Sequence, residues 1–225
     1  MKEIKIFNEE GLVLSFAKQG DSGIDVYANE LSVVVEGIQG IKEYKKEFLM
    51  MSKGYCHEHK FDPNVIEKKF CLEFNRMIQD LKHEDVLIVK MFFKYMTGTR
   101  TILPANTDIK GKPKSSKSKN APYLDSLQNC DGVIDEGYRG IIQYNYEFNS
   151  QVTYLLMINL QNHPESIPYL VELIAKKVYL PSTTKAIGQM VPENREDFKL
   201  TSIPEWKPEY EITDRGTGGH GSTNR

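Results

Sequence analysis

Apolar and polar residues alternate along much of this chain. Ile4 and Ile6, then Leu12, Leu14 and Phe16, recur at every second position among mostly polar or small neighbours. Period-2 spacing marks half-buried strands, and residues 8–11 (NEEG) supply a turn between the two groups. Ile24, Val26 and the valines at 33–35 predict strands within 23–35. The stretch 86–95, rich in β-branched and aromatic residues, predicts a buried strand. Tyr144, Tyr146 and Phe148 share one face of a further strand, and the apolar run 152–160 predicts another. The pattern describes an all-β framework with antiparallel pairs.

Two segments break that rhythm. From Asp62 the apolar positions become Ile66, Phe70, Phe74, Met77, Ile78 and Leu81, which is helical spacing. Asp62 as N-cap and Pro63 at the first helical position set the start of a helix over 62–82. The second segment, 164–177, carries Leu170, Leu173 and Ile174 on one face, with Lys176 and Lys177 near its end, where cations favour the helix dipole. Both predict helices inserted in a β scaffold, near 36–85 and 161–180. Residues 106–122 and 214–225, polar and rich in Gly, Ser and Lys, predict loops.

Composition narrows the classes. A chain of 225 residues with 40% hydrophobic and 27% charged content suits a single large domain with a substantial core. The net charge of −2, from 29 basic and 31 acidic residues, provides no basic field for a nucleic-acid backbone, so no direct nucleic-acid binding is expected. No apolar run approaches the roughly 20 residues of a bilayer span, and the N-terminus MKEIKIFNEE has no apolar leader core. Cys56, Cys71 and Cys130 cannot all pair within one chain, so free thiols in a reducing compartment are expected. The expected location is the cytoplasm, or a host cell's cytoplasm for a viral protein.

Three strings carry candidate chemistry. RGTGGHGST at 215–223 combines glycines, which let successive N–H groups turn toward one anion, with hydroxyls and a guanidinium. That set suits a polyphosphate, whereas the ordinary fate of such a terminus is fraying. KPKSSKSK at 112–119 offers hydroxyl and ammonium donors to a phosphate, or forms a solvated basic loop. GVIDEGYRG at 132–140 places Asp135 where a strand meets a turn, so its carboxylate can take a proton from water beside a cleft, and Tyr138 offers a flat face to a sugar or base. The plain alternative there is an aspartate closing a hairpin turn. Cys56, His57 and His59 include zinc-ligand types, but the spacing lacks CxxC or HExxH and predicts a polar turn before the 62–82 helix. Trp206, between Pro204 and Pro208, is expected to anchor packing.

With GDSGIDVYA at 20–28, these strings resemble the five ordered motifs of the homotrimeric dUTP diphosphatases. The first motif appears at 22–28 (SGIDVYA), the second at 113–116 (PKSS) and the third at 132–140, with Asn129 upstream. The fourth appears at 186–191 (AIGQMV) and the fifth at 215–223, with His220 at an aromatic position. Two departures stand out: Lys114 replaces an arginine, exchanging a planar five-donor fork for a point charge, and the intervals from Asp25 to Lys114 and from Tyr138 to Gln189 are stretched by the inserted helices.

The resemblance implies a mainly β, jelly-roll-like barrel with inserted α-helices, a single domain over 1–225, and a flexible C-terminal lid at 214–225. It implies hydrolysis of dUTP to dUMP and pyrophosphate by water attack on the α-phosphorus, with Asp135 as base. Magnesium would be bound mainly by the phosphates, with Asp25 reached through a water. Lys114, Ser115, Ser116, Gln189, Arg215, Gly219, Gly221, Ser222 and Thr223 would hold the nucleotide's phosphates. Tyr138 would lie under the deoxyribose, backbone groups around Asn129, Gly132, Val133 and Ile134 would read uracil, and His220 would stack on the base from another subunit of a homotrimer. A rival of the same fold, dCTP deaminase, carries a glutamate five positions beyond the last glycine of the third motif, where this chain has Asn145. A regulatory protein that binds partners on this scaffold is the other alternative.

Overall fold

The computed structural model describes residues 2–16, 23–60, 62–114, 124–127, 133–182, 185–193 and 198–212. Among them twelve strands form three sheets around one hydrophobic cluster. In the first, β1 (Lys2–Asn8) lies between β12 (Phe198–Ser202) and β6 (Thr99–Ile102). The second runs β4 (Lys42–Met51), β3 (Glu30–Gln39), β5 (Leu87–Met96), β10 (Gln143–Phe148), β8 (Leu124–Leu127). The third runs β2 (Ile24–Val26), β11 (Gly188–Pro192), β7 (Ile109–Pro113), β9 (Val133–Ile134). The class is mainly β with inserted helices, as the alternation predicts.

The helix α2 (Pro63–His83) buries Ile66, Phe70, Phe74, Met77, Ile78 and Leu81, the six positions that the helical spacing selects. Its N-cap Asp62 accepts a hydrogen bond from the Asn64 N–H at 2.9 Å, satisfying one of the donors a helix start leaves over. The buried stripe faces the inner side of the five-stranded sheet, where Phe93 of β5 stacks on Phe148 of β10 at 4.3 Å. Phe70 and Phe74 close over that pair at 6.2 and 6.3 Å. Each such ring contributes about 1.5–3 kcal/mol by leaving water. Helix α4 (Ile167–Ala175) packs against α2 and buries Ile167, Val171 and Ile174.

Several expectations are corrected, among them the loop expected over 106–122, whose residues 109–113 form β7. The run 152–160 is not a strand but most of helix α3 (Ser150–Asn162), capped by the Asn149 side chain, which accepts from the Gln151 N–H at 3.0 Å. A continuous apolar run has no period to favour a strand over a helix; here Leu156 is buried while Tyr154 and Leu155 are exposed. The insertion expected over 36–85 is helical only from Lys53, because 42–51 is β4, antiparallel to β3. Leu12–Phe16 keeps its alternation, with Leu14 buried and Val13 exposed, yet only Phe16 pairs, in a lone bridge to Ile24. Lastly, β1 and β12 are parallel, and side-chain alternation is the same in both ladder types, so it cannot carry strand direction.

Two smaller elements complete the frame. The turn after β1 closes through Gly11 N–H to Asn8 O at 2.9 Å, with Gly11 at a φ of +68 that a glycine accepts without cost. The Cys56 segment is a short helix, α1 (Lys53–Glu58), rather than a polar turn; it buries Cys56 and leaves His57 exposed. Trp206 packs against Phe7, with the Arg100 guanidinium 5.1 Å from its ring and its indole N–H donating to Glu211 at 3.2 Å.

Candidate active site

The four-stranded sheet gathers pieces of four motifs that lie far apart in sequence. Strand β11 pairs with β2 so that Gln189 faces Asp25, and with β7 so that Gln189 faces Lys112. Directly opposed residues of antiparallel strands share a face. Asp25, Gln189 and Lys112 therefore form a row across three strands, on the side away from buried Gly188 and Met190. Lys114, one position beyond β7, donates from Nζ to Asp25 Oδ2 at 2.6 Å. Gln189 donates from Nε2 to Asp25 Oδ1 at 2.9 Å. The Asp25 carboxylate thus ties the first, second and fourth motifs into one cluster, with side chains only 17% and 30% exposed for Asp25 and Lys114. Gly23 leaves room for this: a Cβ there would stand 3.1 Å from the Cβ, Cδ and Oε1 of Gln189.

The third motif forms the opposite edge of the same sheet. Val133 and Ile134 pair with Lys110 and Ile109, and Asp135 follows at the strand end, where the sequence places it. The Tyr138 N–H donates to Asp135 O at 3.0 Å and closes the turn. Tyr138 packs its ring over Gly140, where a Cβ would meet the hydroxyl at 2.4 Å, and its O–H donates to Ile141 O at 3.0 Å. Burial raises this phenol above its ordinary range, against the opposing influence of nearby Arg100. With the hydroxyl so engaged, the ring face is what Tyr138 offers a ligand. The Arg139 side chain is buried and donates from Nη1 to Glu136 O and to Tyr138 O at 2.9 Å, stapling the turn. Sequence reading gave Arg139 no role; a basic residue inside a tight polar turn is its only signal.

The structure brings Asp25, Lys114 and Gln189 together but not Asp135. The registers place Asp135 two strands over and four residues along from Gln189, roughly 16 Å at ordinary sheet spacings. Ser115, Ser116, Asn129, Gly132, Arg215, Gly219, His220, Gly221, Ser222 and Thr223, with the lid at 214–225, lie outside the described residues. Asn145 lies in β10 opposite Lys94, so no carboxylate occupies the position of the deaminase glutamate. Among the described residues no three His, Cys, Asp or Glu side chains are grouped to hold a metal. Asp25 nevertheless keeps lone pairs beyond the two bonds it accepts, so it can still accept from a water held by a cation.

No protein-family model matches the chain. Over 141 residues, 62% of this chain and 77% of the relative, it is 33% identical to the deoxyuridine 5'-triphosphate nucleotidohydrolase of Clostridium kluyveri. Among solved structures it is similar to the dUTPase of Staphylococcus bacteriophage 80alpha, with 13% identity, a TM-score of 0.40, and coverage of 92% of this chain and 98% of that one. It is likewise similar to a mutant dUTPase of S. aureus phage phi11 described with a structural Mg(II) ion, at 12% identity, a TM-score of 0.40 and the same coverage, 92% and 98%.

Proposed function

The chain belongs to the deoxyuridine 5'-triphosphate nucleotidohydrolase family, and from that premise we propose that it hydrolyses dUTP to dUMP and pyrophosphate. A water attacks the α-phosphorus, Asp135 takes its proton, and the bond from the α-phosphorus to the bridging oxygen breaks, releasing pyrophosphate. The observation that carries this reading is the cluster in which Asp25 binds both Lys114 and Gln189, joining three separated motifs on one sheet face. Lys114 and Gln189, held side by side on the Asp25 carboxylate, turn to the phosphate oxygens when the nucleotide binds, and Ser115, Ser116, Arg215, Gly219, Gly221, Ser222 and Thr223 complete the phosphate set. Donors fixed before the reaction stabilise charge that develops in the transition state. Magnesium would be held chiefly by the phosphates, with Asp25 reaching it through water, and would supply charge neutralisation there. Tyr138 presents its ring to the deoxyribose, Asn129 and backbone groups of Gly132, Val133 and Ile134 read uracil, and His220 stacks on the base.

Asp135 stands too far from the Asp25 cluster to serve it within one chain. A homotrimer, in which the 133–140 hairpin of one copy serves the cluster of another, resolves that separation. The protein acts in the cytoplasm. Pyrophosphate release with dUTP, dTTP, dCTP and UTP tests the activity: dUTP should be turned over far faster than the rest. Comparable turnover of UTP would remove the sugar role of Tyr138, and ammonia from dCTP would favour a deaminase.

A further inference from the structure

The buried face of β10 carries Tyr144 and Tyr146, both fully buried, and neither belongs to any of the five motifs. Their hydroxyls cross from the five-stranded sheet to the backbone of the site strand. Tyr144 donates to the carbonyl of Gln189 at 2.6 Å, and Tyr146 donates to the carbonyl of Ile187 at 2.7 Å. The Tyr144 ring lies in a trough between two strands. On β11, a Cβ at Gly188 would stand 2.3 Å from its Cε1; on β7, a Cβ at Gly111 would stand 3.6 Å from the ring. Gly188 is therefore the position that admits the ring beneath Gln189.

We propose that Tyr144 is a positioning residue for Gln189, its hydroxyl fixing the Gln189 peptide so that the side-chain amide is held on Asp25, in the cluster that receives the substrate phosphates. This rests on the hydrolase reading of the site. The ladder bonds of β11 restrain Gln189 within the plane of its sheet. Tyr144 belongs to another sheet, so its bond restrains the same peptide from the core side. Burial also raises this phenol well above its ordinary range, so the hydroxyl stays protonated and donating. Tyr146 supplies an internal control: the same bond type, equally buried, on the same strand segment, but two residues from the amide that matters.

The test compares Tyr144→Phe, Tyr146→Phe, Gln189→Ala and the Tyr144→Phe/Gln189→Ala pair. Both phenylalanine variants keep the ring and lose one buried donor, so their melting temperatures should fall by similar amounts. Tyr144→Phe should lower kcat/KM for dUTP about tenfold, while Tyr146→Phe stays within about twofold of the parent. In the Gln189→Ala background, Tyr144→Phe should cost nothing further in kcat/KM, since the group it positions is gone. Without substrate, the Gln189 side-chain amide resonance should move in Tyr144→Phe and hold in Tyr146→Phe. Equal catalytic losses in the two phenylalanine variants, a tenfold loss that persists in the Gln189→Ala background, or loss of folding in Tyr144→Phe would each overturn the positioning role. If the parent protein does not hydrolyse dUTP, the reading of the site fails instead, and the amide resonance still decides whether Tyr144 holds Gln189.

Discussion

The contact between Asp25 and Lys114 is the point at which the site can be tested most directly, because it replaces an arginine fork with a single ammonium. Asp25→Asn keeps an oxygen for the Gln189 amide, removes the charge and turns the oxygen that accepts from Lys114 into a donor; Lys114→Met keeps the stem and removes the ammonium. Hydrogen bonds to charged groups contribute about 1.5–3 kcal/mol when shielded, and exposed ion pairs about 0.2–1 kcal/mol. The pair is short, at 2.6 Å, but Lys114 is 30% exposed, so water screens it and about 1 kcal/mol of coupling is the expected value. In a chain of this length that corresponds to roughly 2–4 °C in melting temperature. The assay is a double-mutant cycle on thermal unfolding, at one fixed protein concentration, in low and high salt. The two single variants together should destabilise more than the double variant does, and the gap should shrink as salt rises. Coupling below about 0.3 kcal/mol at low salt, the level of additivity for independent sites, would refute the cluster as described.

Asp135→Asn should lower turnover by at least about a hundredfold while nucleotide binding survives, as read by single-turnover kinetics and calorimetry; near-normal turnover in a folded variant would remove Asp135 as base. Light scattering should show a homotrimer, and an active monomer would end the shared-site argument. Mixing Asp135→Asn with Gln189→Ala chains, each impaired, should restore parental turnover in about a quarter of sites if base and cluster come from different copies; no gain over the separate variants after demonstrated subunit exchange would place them in one chain. Burial pushes the Cys56 thiol from 9.0 to about 11, so alkylation at pH 8 followed by peptide mapping should leave Cys56 unlabelled until the protein unfolds. Because the folded value is the higher one, the stability linked to this thiol is whole below pH 9 and is lost as pH rises through 11. Phe74→Ala should cost about 3–5 kcal/mol of stability and leave kcat/KM for dUTP within about twofold at temperatures where the variant is folded.

The hydrophobic pattern carried most of the fold because burial is periodic wherever an element has one wet face. Helix α2 is legible down to its six buried residues, since its far side is polar apart from the exposed Leu72. Helix α3 is not, because 152–160 is apolar all round and its exposed Tyr154 and Leu155 blur the period. Strand β4 escaped notice for the opposite reason: Tyr44 and Phe48 alternate with charged residues so sparsely that KEYKKEF looks solvated. At the site, the residue pattern announced Asp135 and the basic string that holds Lys114, while Asp25 and Gln189 came only from the resemblance to ordered family motifs. Their separation into a cluster and a distant hairpin was not legible, because it depends on strand order, and strand order is a property of the whole chain. Tyr144 and Arg139 were missed since each acts by hydrogen bonds to backbone carbonyls, which leave no trace in residue spacing.

Strand β10 explains how large insertions and the site strands coexist. Its buried face runs Tyr144, Tyr146, Phe148 in alternate positions. Phe148, at one end, belongs to the ring cluster of Phe93 and Phe74 that anchors α2. Tyr144, at the other, reaches the carbonyl of Gln189. Helix α2 thus buries its apolar stripe against one end of a sheet whose other end supports β11. The change from Phe to Tyr along one strand face follows from this division. At the helix end Phe148 meets the rings of Phe74 and Phe93, which offer a hydroxyl no acceptor; at the site end the Gln189 carbonyl of β11 supplies one.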